Sequence, residues 1–120
     1  MANPGKGETF EFLSFAWDVD AAWRLVEGRE PNGKVPLEPL FERMGDIIRI
    51  DHAHALSDAV DPSYPVIVVP LHIGGHLVID GWHRMAKALW AGASHHQAHI
   101  LSADEELAVR IRGEVNQPAA

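Results

Sequence analysis

The sequence contains no cysteine, and its 10 lysine and arginine residues are outnumbered by 17 aspartate and glutamate residues. The absence of thiols excludes disulfide scaffolds, thiolate zinc sites and cysteine nucleophiles. The net charge of −7, counted with histidines neutral, opposes non-specific DNA binding, which needs lysines and arginines to displace counterions. A role on nucleic acid would therefore require a local basic patch on an acidic body.

Long hydrophobic runs are also missing. No stretch reaches the roughly 18 apolar residues that a membrane helix requires, and residues 1–7 lack the apolar centre of a secretory signal. We therefore expect no membrane partner and a soluble, cytoplasmic protein of bacterial or phage origin. The 120 residues, 47% of them hydrophobic, fit one domain with one core. We expect this domain at residues 9–112, between flexible tails at residues 1–8 and 113–120.

Apolar periodicity and turn residues predict a mixed order of elements. The predicted strands cover residues 9–17, 46–50, 66–71, 77–79 and 97–101, and the predicted helices cover residues 21–27, 52–60, 82–91 and 104–111. Residues 35–44 fit either a helical turn or a strand. Val66–Leu71 is a continuous β-branched run, typical of a strand buried on both faces, and Ser102 with Glu105 predicts a capping box. The sequence thus predicts a compact α+β domain, a small mixed sheet with packed helices.

Five consecutive residues, Asp80 to Arg84 (DGWHR), lie where the strand at 77–79 turns directly into the helix at 82–91. Unpaired backbone N–H groups and about half a unit of positive dipole charge attract anions to a helix N-terminus. Arg84 adds a planar fork of donors that fits phosphate oxygens. The segment therefore predicts a phosphate-binding corner.

Each residue at this corner has a functional and a structural interpretation. Asp80 is either a ligand for phosphate-bound Mg²⁺ or a helix cap, whereas Gly81 suits the tight turn in both cases. His83 is either a phosphate donor or acid–base group, or a packed histidine. Arg84 either binds phosphate or forms a surface ion pair. Lys87 lies on the same helix face as His83 and either reaches a phosphate or stays in solvent.

The corner and its flanking segments resemble the core of the ParB/sulfiredoxin superfamily. Residues 65–69 (PVIVV) match a P-I-x-V strand, and residues 74–88 match a hairpin, a (D/E)-G-x-(H/R)-R corner and an A-x-x-x-(A/L) helix, followed by Gly92. The match extends from residue 65 to about 101, roughly a third of the chain. The remaining residues agree only in the order of their elements.

This resemblance implies nucleotide chemistry. Members include CTP-binding partition proteins, ATP-using sulfiredoxins, free-serine kinases and ParB-like nucleases. In these proteins the corner binds nucleotide phosphates. We therefore expect a nucleotide-binding protein that takes ATP or another NTP with Mg²⁺ and acts as a hydrolase or phosphotransferase. Asp80 and His83 are the candidate catalytic residues, and Asp80 is the candidate metal ligand. Gly81, His83, Arg84 and Lys87 are the candidate nucleotide-binding residues.

The chain also departs from known members. Trp82 stands where sulfiredoxins have their catalytic cysteine, so that activity is excluded. Partition proteins continue into a helix-turn-helix module and a dimerisation tail; we find neither in these residues and expect no partition clamp acting alone. Serine kinases have an acid at the Asp80 position and an upstream glutamate as base. Here that glutamate has three candidates, chosen by location only: Glu30, Glu38 and Glu42.

Two other functions remain open. A DNA-processing protein of a plasmid or phage, nuclease-like or partition-associated, would need a basic patch, for which the candidates are Arg49, Arg84, Lys87, Arg110 and Arg112. A non-catalytic interaction module on the same fold would expose contiguous aromatic residues, for which the candidates are Trp17, Trp23 and Trp90.

Further motifs give weaker predictions. Several histidines beside Asp51 and near the C-terminus, namely His52, His54, His95, His96 and His99, suggest a metal site, but no H-E-x-x-H spacing occurs. Gly74-Gly75 fits a hairpin turn and lacks the Lys-Ser/Thr of a phosphate-binding P-loop. The sequence leaves the preferred base, the acceptor substrate and the oligomeric state open.

Overall fold

The computed structural model describes residues 7–113. In this range the chain forms seven strands and five helices. The strands are β1 (Thr9–Phe12), β2 (Phe15–Asp18), β3 (Gly33–Pro36), β4 (Val66–Pro70), β5 (His76–Asp80), β6 (His95–Ile100) and β7 (Arg110–Arg112). The helices are α1 (Val19–Val26), α2 (Leu37–Met44), α3 (His52–Leu56), α4 (Trp82–Trp90) and α5 (Ala103–Val109). The α+β class is confirmed. The predicted tails lie outside the described residues, except for Gly7, Glu8 and Gly113.

A four-stranded mixed sheet in the order β3-β6-β4-β5 forms the centre of the fold. Strand β4 runs parallel to β6 and antiparallel to β5, and β3 is antiparallel to β6. Side chains of β4 alternate between two core clusters: Val66 and Val68 pack on one side, Ile67 and Val69 on the other. The prediction that this strand is buried on both faces is confirmed, and burial of both faces explains its unbroken apolar run.

A second, antiparallel sheet has the order β1-β2-β7. The prediction of one strand over residues 9–17 was wrong, because these residues form a hairpin in which Phe12 faces Phe15. The two-residue turn between them places Leu13 at φ +57°. Tight hairpin turns usually contain glycine or asparagine. Leu13-Ser14 contains neither, so no local signal predicted the reversal of the chain.

Two other elements differ from the prediction. Residues 46–50 form no strand, because the N–H groups of Ile47 and Ile48 both donate to the carbonyl of Met44 and close the end of α2. The last predicted helix ends at Val109, and the next three residues form β7, which pairs with β2. The ambiguous segment at residues 35–44 is divided between β3 and α2. No helix within residues 7–113 has both the length and the apolar character needed to cross a membrane.

A buried polar network joins the second sheet to α5. The indole N–H of Trp17, a residue only 1% exposed, donates to Glu106 at 2.8 Å. Arg110 donates to both carboxylate oxygens of Glu106 at 2.7 Å and to the carbonyl of Gly113 at 2.9 Å. Burial opposes ionisation of Glu106, but the hydrogen bonds from Arg110 and Trp17 outweigh it and lower the pKa of this carboxyl. The charged, bidentate pair thereby fixes the end of α5 against β2.

We predict that Glu106→Gln destabilises the fold by about 2 kcal/mol at pH 7, because a neutral amide replaces the charged carboxylate that accepts two hydrogen bonds from Arg110. The folded-state pKa of Glu106 is lowered, so its contribution is present above the unfolded-state pKa of about 4.3 and is lost as pH falls through the folded-state value. The gap between wild type and variant should therefore narrow below about pH 4.3. Urea denaturation between pH 3 and 7 measures this gap. The exposed Glu42→Gln serves as control and should stay within about 0.5 kcal/mol; a constant gap for Glu106→Gln contradicts the prediction.

Candidate functional site

A cleft of about 560 Å³ opens where β5 turns into α4. One wall comes from β1 and the residue before it, another from the loop after α2 and from α3, and the floor from the β5–α4 corner. Ionisable side chains of both signs line it: Glu8, Glu11, Asp61 and Asp80, and Arg49, His54, His83 and Arg84. The structure thus places Asp80, Gly81, His83 and Arg84 of the predicted site in one cleft.

Gly81 makes the corner possible. Its φ of +109° is a conformation that side chains rarely adopt, and a Cβ there would come within 2.3 Å of Cγ1 of Val66 and 2.9 Å of its Cβ. The chain can therefore turn from β5 into α4 while touching β4 only if this residue has no side chain. The close packing brings the first turn of α4 directly over the central sheet.

The N-terminus of α4 faces the cleft without a side-chain cap. In the described part of the chain, α1, α3 and α5 are capped by the side chains of Asp18, Asp51 and Ser102, the last in a complete capping box as predicted. Gly81 offers α4 no such acceptor; α2 lacks one too, but begins after Pro36, which does not line the cleft. The first N–H groups of α4 are therefore available to an anion.

Arg84 is held at the cleft by aromatic rings and by a long ion pair. Its guanidinium carbon lies 5.7 Å from the ring centre of Trp23 and 5.9 Å from that of Tyr64, a cation–π arrangement. One terminal nitrogen reaches Asp80 at 3.3 Å, and the side chain is 12% exposed. Among the described residues, the buried Nε of Arg84 has no hydrogen-bond partner. The guanidinium is therefore incompletely paired within the described residues, and it lines the cleft, where its terminal nitrogens are candidate donors to an oxyanion.

Two carboxylates, those of Asp80 and Glu8, line the same cleft. Asp80 accepts from the indole N–H of Trp23 at 2.8 Å as well as from Arg84. Partial burial raises the pKa of Glu8, followed by the charges of Asp80 and Asp20, against the opposing effect of Arg84. Sequence analysis missed Glu8 because it precedes the first strand, in a segment predicted to be a tail.

The three upstream glutamates proposed from sequence do not line this cleft. Glu30 lies in the loop before β3, and Glu38 and Glu42 lie on exposed positions of α2. Glu8 and Glu11 are the upstream glutamates that do line the cleft, and the charge of Asp80 contributes to the raised pKa of Glu8. No sequence signal indicated the position of Glu8, because it depends on the carbonyl of this residue accepting from the N–H of Val19 at 3.0 Å.

His83 is oriented by the start of α3. Its Nε2 accepts the backbone N–H of Asp51 at 3.1 Å, which leaves Nδ1 as the nitrogen that carries the proton in the neutral ring. The ring lies 5.0 Å from that of His54. Burial, then the neighbouring His54, lowers the pKa of His83, although Asp51 and Asp80 act in the opposite direction. A neutral His83 can donate one hydrogen bond from Nδ1.

Lys87 neither faces the candidate phosphate site nor stays in solvent, as the two predicted alternatives would require. Its ammonium donates to the carbonyl of Ser57 at 2.8 Å and to that of Val60 at 2.9 Å, and it does not line the cleft. The lysine therefore ties the loop after α3 to α4. This loop in turn contributes Val60 and Asp61 to the cleft wall, so Lys87 shapes the site without facing its interior.

The histidines do not converge on a metal. Within residues 7–113, no three histidine, aspartate or glutamate side chains lie close enough together to hold an ion. His52 packs on Trp90, His95 is bonded to Ser94, and His96 Nε2 lies 2.6 Å from the carbonyl of Tyr64. The weak prediction of a transition-metal site gains no support from these positions.

The residues proposed for the two alternative functions are dispersed. Arg110 is nine-tenths buried against Glu106, and Arg112 lies 3.8 Å from Glu11 on the second sheet. Arg84 pairs with Asp80, and Lys87 donates to backbone carbonyls. Arg49 is the remaining candidate, and it is exposed at the cleft. The five basic side chains therefore form no common exposed patch in the described part of the chain.

The three candidate tryptophans are also dispersed. Trp17 is buried, Trp23 on α1 is half-buried, and Trp90 is 45% exposed beside His52. They form no contiguous aromatic surface.

Comparisons of the chain with protein-family models, with curated proteins and with solved structures gave no significant match. The resemblance to the ParB/sulfiredoxin superfamily therefore stays a prediction that rests on the residues of the corner and its flanks.

We predict that Gly81→Ala lowers the free energy of unfolding by about 2 to 4 kcal/mol, since it combines an unfavourable φ with a clash against Val66. Gly92→Ala is the matched control: its φ is +99°, but a Cβ there meets nothing within 4 Å. The control should lose only about 1 to 2 kcal/mol. Urea denaturation of both variants measures the difference, and equal losses would show that the contact with Val66 is not tight.

Proposed function

We propose that the chain binds the phosphates of a nucleotide, ATP or another NTP, at the Gly81 corner, as a protein of ParB/sulfiredoxin type. The observation that carries this proposal is the buried, incompletely paired guanidinium of Arg84 next to the uncapped N-terminus of α4. Backbone N–H groups and a guanidinium fork are the donors that phosphate oxygens prefer. Nδ1 of His83 adds a third donor at the same end of the cleft.

Asp80 is the carboxylate of the cleft that would hold a divalent cation. Its charge is the second cause, after burial, of the raised pKa of Glu8. Mg²⁺ requires only one or two carboxylates because phosphate oxygens and water complete its shell. Such an ion would neutralise phosphate charge. In this arrangement Asp80, already held by Trp23, would be the metal ligand, and Glu8 would stay uncoordinated and able to accept a proton.

The chemistry that suits this arrangement is phosphoryl transfer or NTP hydrolysis, in which positioning and charge neutralisation supply most of the catalysis. Arg84 and the α4 N–H groups would bind the phosphates, and His83 would donate a hydrogen bond to a phosphate oxygen. Glu8 would accept the proton of the attacking hydroxyl group or water, because a carboxylate with a raised pKa is a stronger base. Asp80 would keep Arg84 in place.

We predict that MgATP or another Mg-nucleotide binds in isothermal titration calorimetry and that Arg84→Lys weakens this binding about ten- to hundredfold. Lysine keeps the charge but loses the planar fork that can pair two phosphate oxygens. Titrations with MgATP, MgGTP, MgCTP and MgUTP cover the possible bases.

Arg43→Lys is the matched control for this titration, because Arg43 is exposed on α2 and does not line the cleft. Its affinity should equal that of the wild type. Circular dichroism establishes that both variants are folded. The proposal fails if no nucleotide binds to the wild type at millimolar concentration, or if Arg84→Lys binds as tightly as Arg43→Lys.

We further predict that Glu8→Gln lowers the rate of ADP formation from MgATP by about a hundredfold, because the amide cannot accept a proton. Nucleotide affinity should change less than about threefold. A coupled assay of ADP formation, run beside the calorimetry, separates the two effects. The control is Glu11→Gln, which alters an exposed carboxylate on the same wall. Equal rates for the two variants would remove Glu8 from the role of base.

A further inference from the structure

A second cleft, of about 380 Å³, lies between the end of α1 and the segment that leads into β4. Its walls are the rings of Trp23, Tyr64 and Pro65, with His99 of β6 among the lining residues and Arg24 exposed at its edge. Trp23 also contacts Arg84 of the first cleft. The volume lies in the range of small-molecule sites, and such sites combine aromatic walls with a few polar groups.

Among the polar side chains that line this cleft, Arg24, Glu27 and Arg29 are exposed, whereas the imidazole of His99 is buried. The residue is 6% exposed, yet its ring makes no hydrogen bond with any residue of the described chain. His96, two positions earlier, is equally buried but lies 2.6 Å from a backbone carbonyl. The ring nitrogens of His99 are not among the fully buried atoms that lack a partner, so they are accessible from the cleft that His99 lines and can pair with a group bound there.

The buried position of His99 favours the uncharged form of its ring. Burial lowers its pKa, the nearby Arg29 lowers it further, and Glu30 acts in the opposite direction. A neutral imidazole has one donor and one acceptor nitrogen. The group that pairs with it therefore needs no charge, only a complementary hydrogen-bonding edge.

The walls define the shape of that group. The rings of Trp23 and Tyr64 have centroids 6.1 Å apart and are tilted by 54°, and the His99 ring meets Trp23 edge-on at 6.1 Å. Aromatic walls of this kind favour a flat π-system. We propose that the second cleft binds a neutral, planar heteroaromatic ring of the nucleobase class, seated against Trp23 and Tyr64 and hydrogen-bonded to His99.

Binding of a nucleobase in the second cleft does not require that the proposed phosphate site at Gly81 is correct. A nucleobase in the second cleft could belong to a free nucleoside or to the nucleotide whose phosphates occupy the first cleft. Probes without phosphate, namely adenosine, guanosine, cytidine and uridine, test the cleft itself. A second titration in the presence of saturating MgATP then distinguishes the two sources: loss of nucleoside binding assigns the cleft to the same nucleotide, and unchanged binding assigns it to a separate nucleoside.

The experiment follows the ring resonances of His99 by NMR in protein labelled with ¹⁵N-histidine, during titration with each nucleoside. We expect at least one nucleoside to shift the His99 signals in a saturable, one-to-one manner. His99→Phe keeps a flat ring but removes both nitrogens, and it should weaken the binding measured by calorimetry about tenfold or more.

The control is His95→Phe, the same substitution at an exposed position of β6 outside the cleft, which should bind like the wild type. Tyr64→Leu removes one wall and should weaken binding severalfold while the His99 nitrogens remain. The proposal is overturned if none of the four nucleosides shifts His99 at 10 mM, a concentration on the order of the weakest specific affinities, or if His99→Phe binds as tightly as His95→Phe.

Discussion

The contact between the backbone of Gly81 and the side chain of Val66 fixes the geometry of the candidate site. Because no Cβ intervenes, α4 begins directly above the central strand β4, and its free N–H groups open onto the cleft rather than onto bulk solvent. The same turn sets Asp80 at the end of β5 and Arg84 one helical turn later, where the two can meet. A larger residue at the corner would lift α4 away from the sheet and separate the donors that the site requires.

Two ion pairs with identical spacing show how differently this fold uses its arginines. Glu106–Arg110 and Asp80–Arg84 are both i,i+4 pairs with largely buried side chains. The guanidinium of Arg110 makes two hydrogen bonds of 2.7 Å to one carboxylate and a third to a carbonyl, which satisfies it within the protein. That of Arg84 makes one contact of 3.3 Å and retains an unpaired Nε within the described residues. The first pair stabilises the fold, whereas the second lies at the cleft with its guanidinium only partly paired.

The sequence predicted the centre of this arrangement and missed its periphery, for physical reasons. The continuous β-branched run of β4 and the Gly81 turn are local signals, so the strand, the corner and the helix could be recognised without tertiary information. Glu8 and Trp23 reach the site through long-range contacts, 72 and 57 residues from Asp80 in the chain, and no spacing rule connects them. The hairpin at Leu13 was missed because its turn contains neither glycine nor asparagine. The residues that form the corner could be predicted from the sequence, but the residues that form the walls of the cleft could not.

The indole of Trp23 lines the second cleft and contacts two residues of the first, and these contacts connect the two clefts. Its N–H holds Asp80, its face contacts Arg84, and the ring forms a wall of the second cleft. A ring bound beside Trp23 would limit the motion of the indole, and with it the freedom of the Asp80–Arg84 pair. Because linkage is reciprocal, phosphate bound to Arg84 would then raise the affinity of the second cleft by the same factor. In a chain with few cations, a single half-buried tryptophan thus provides the physical connection by which an aromatic site and an anion site could act together.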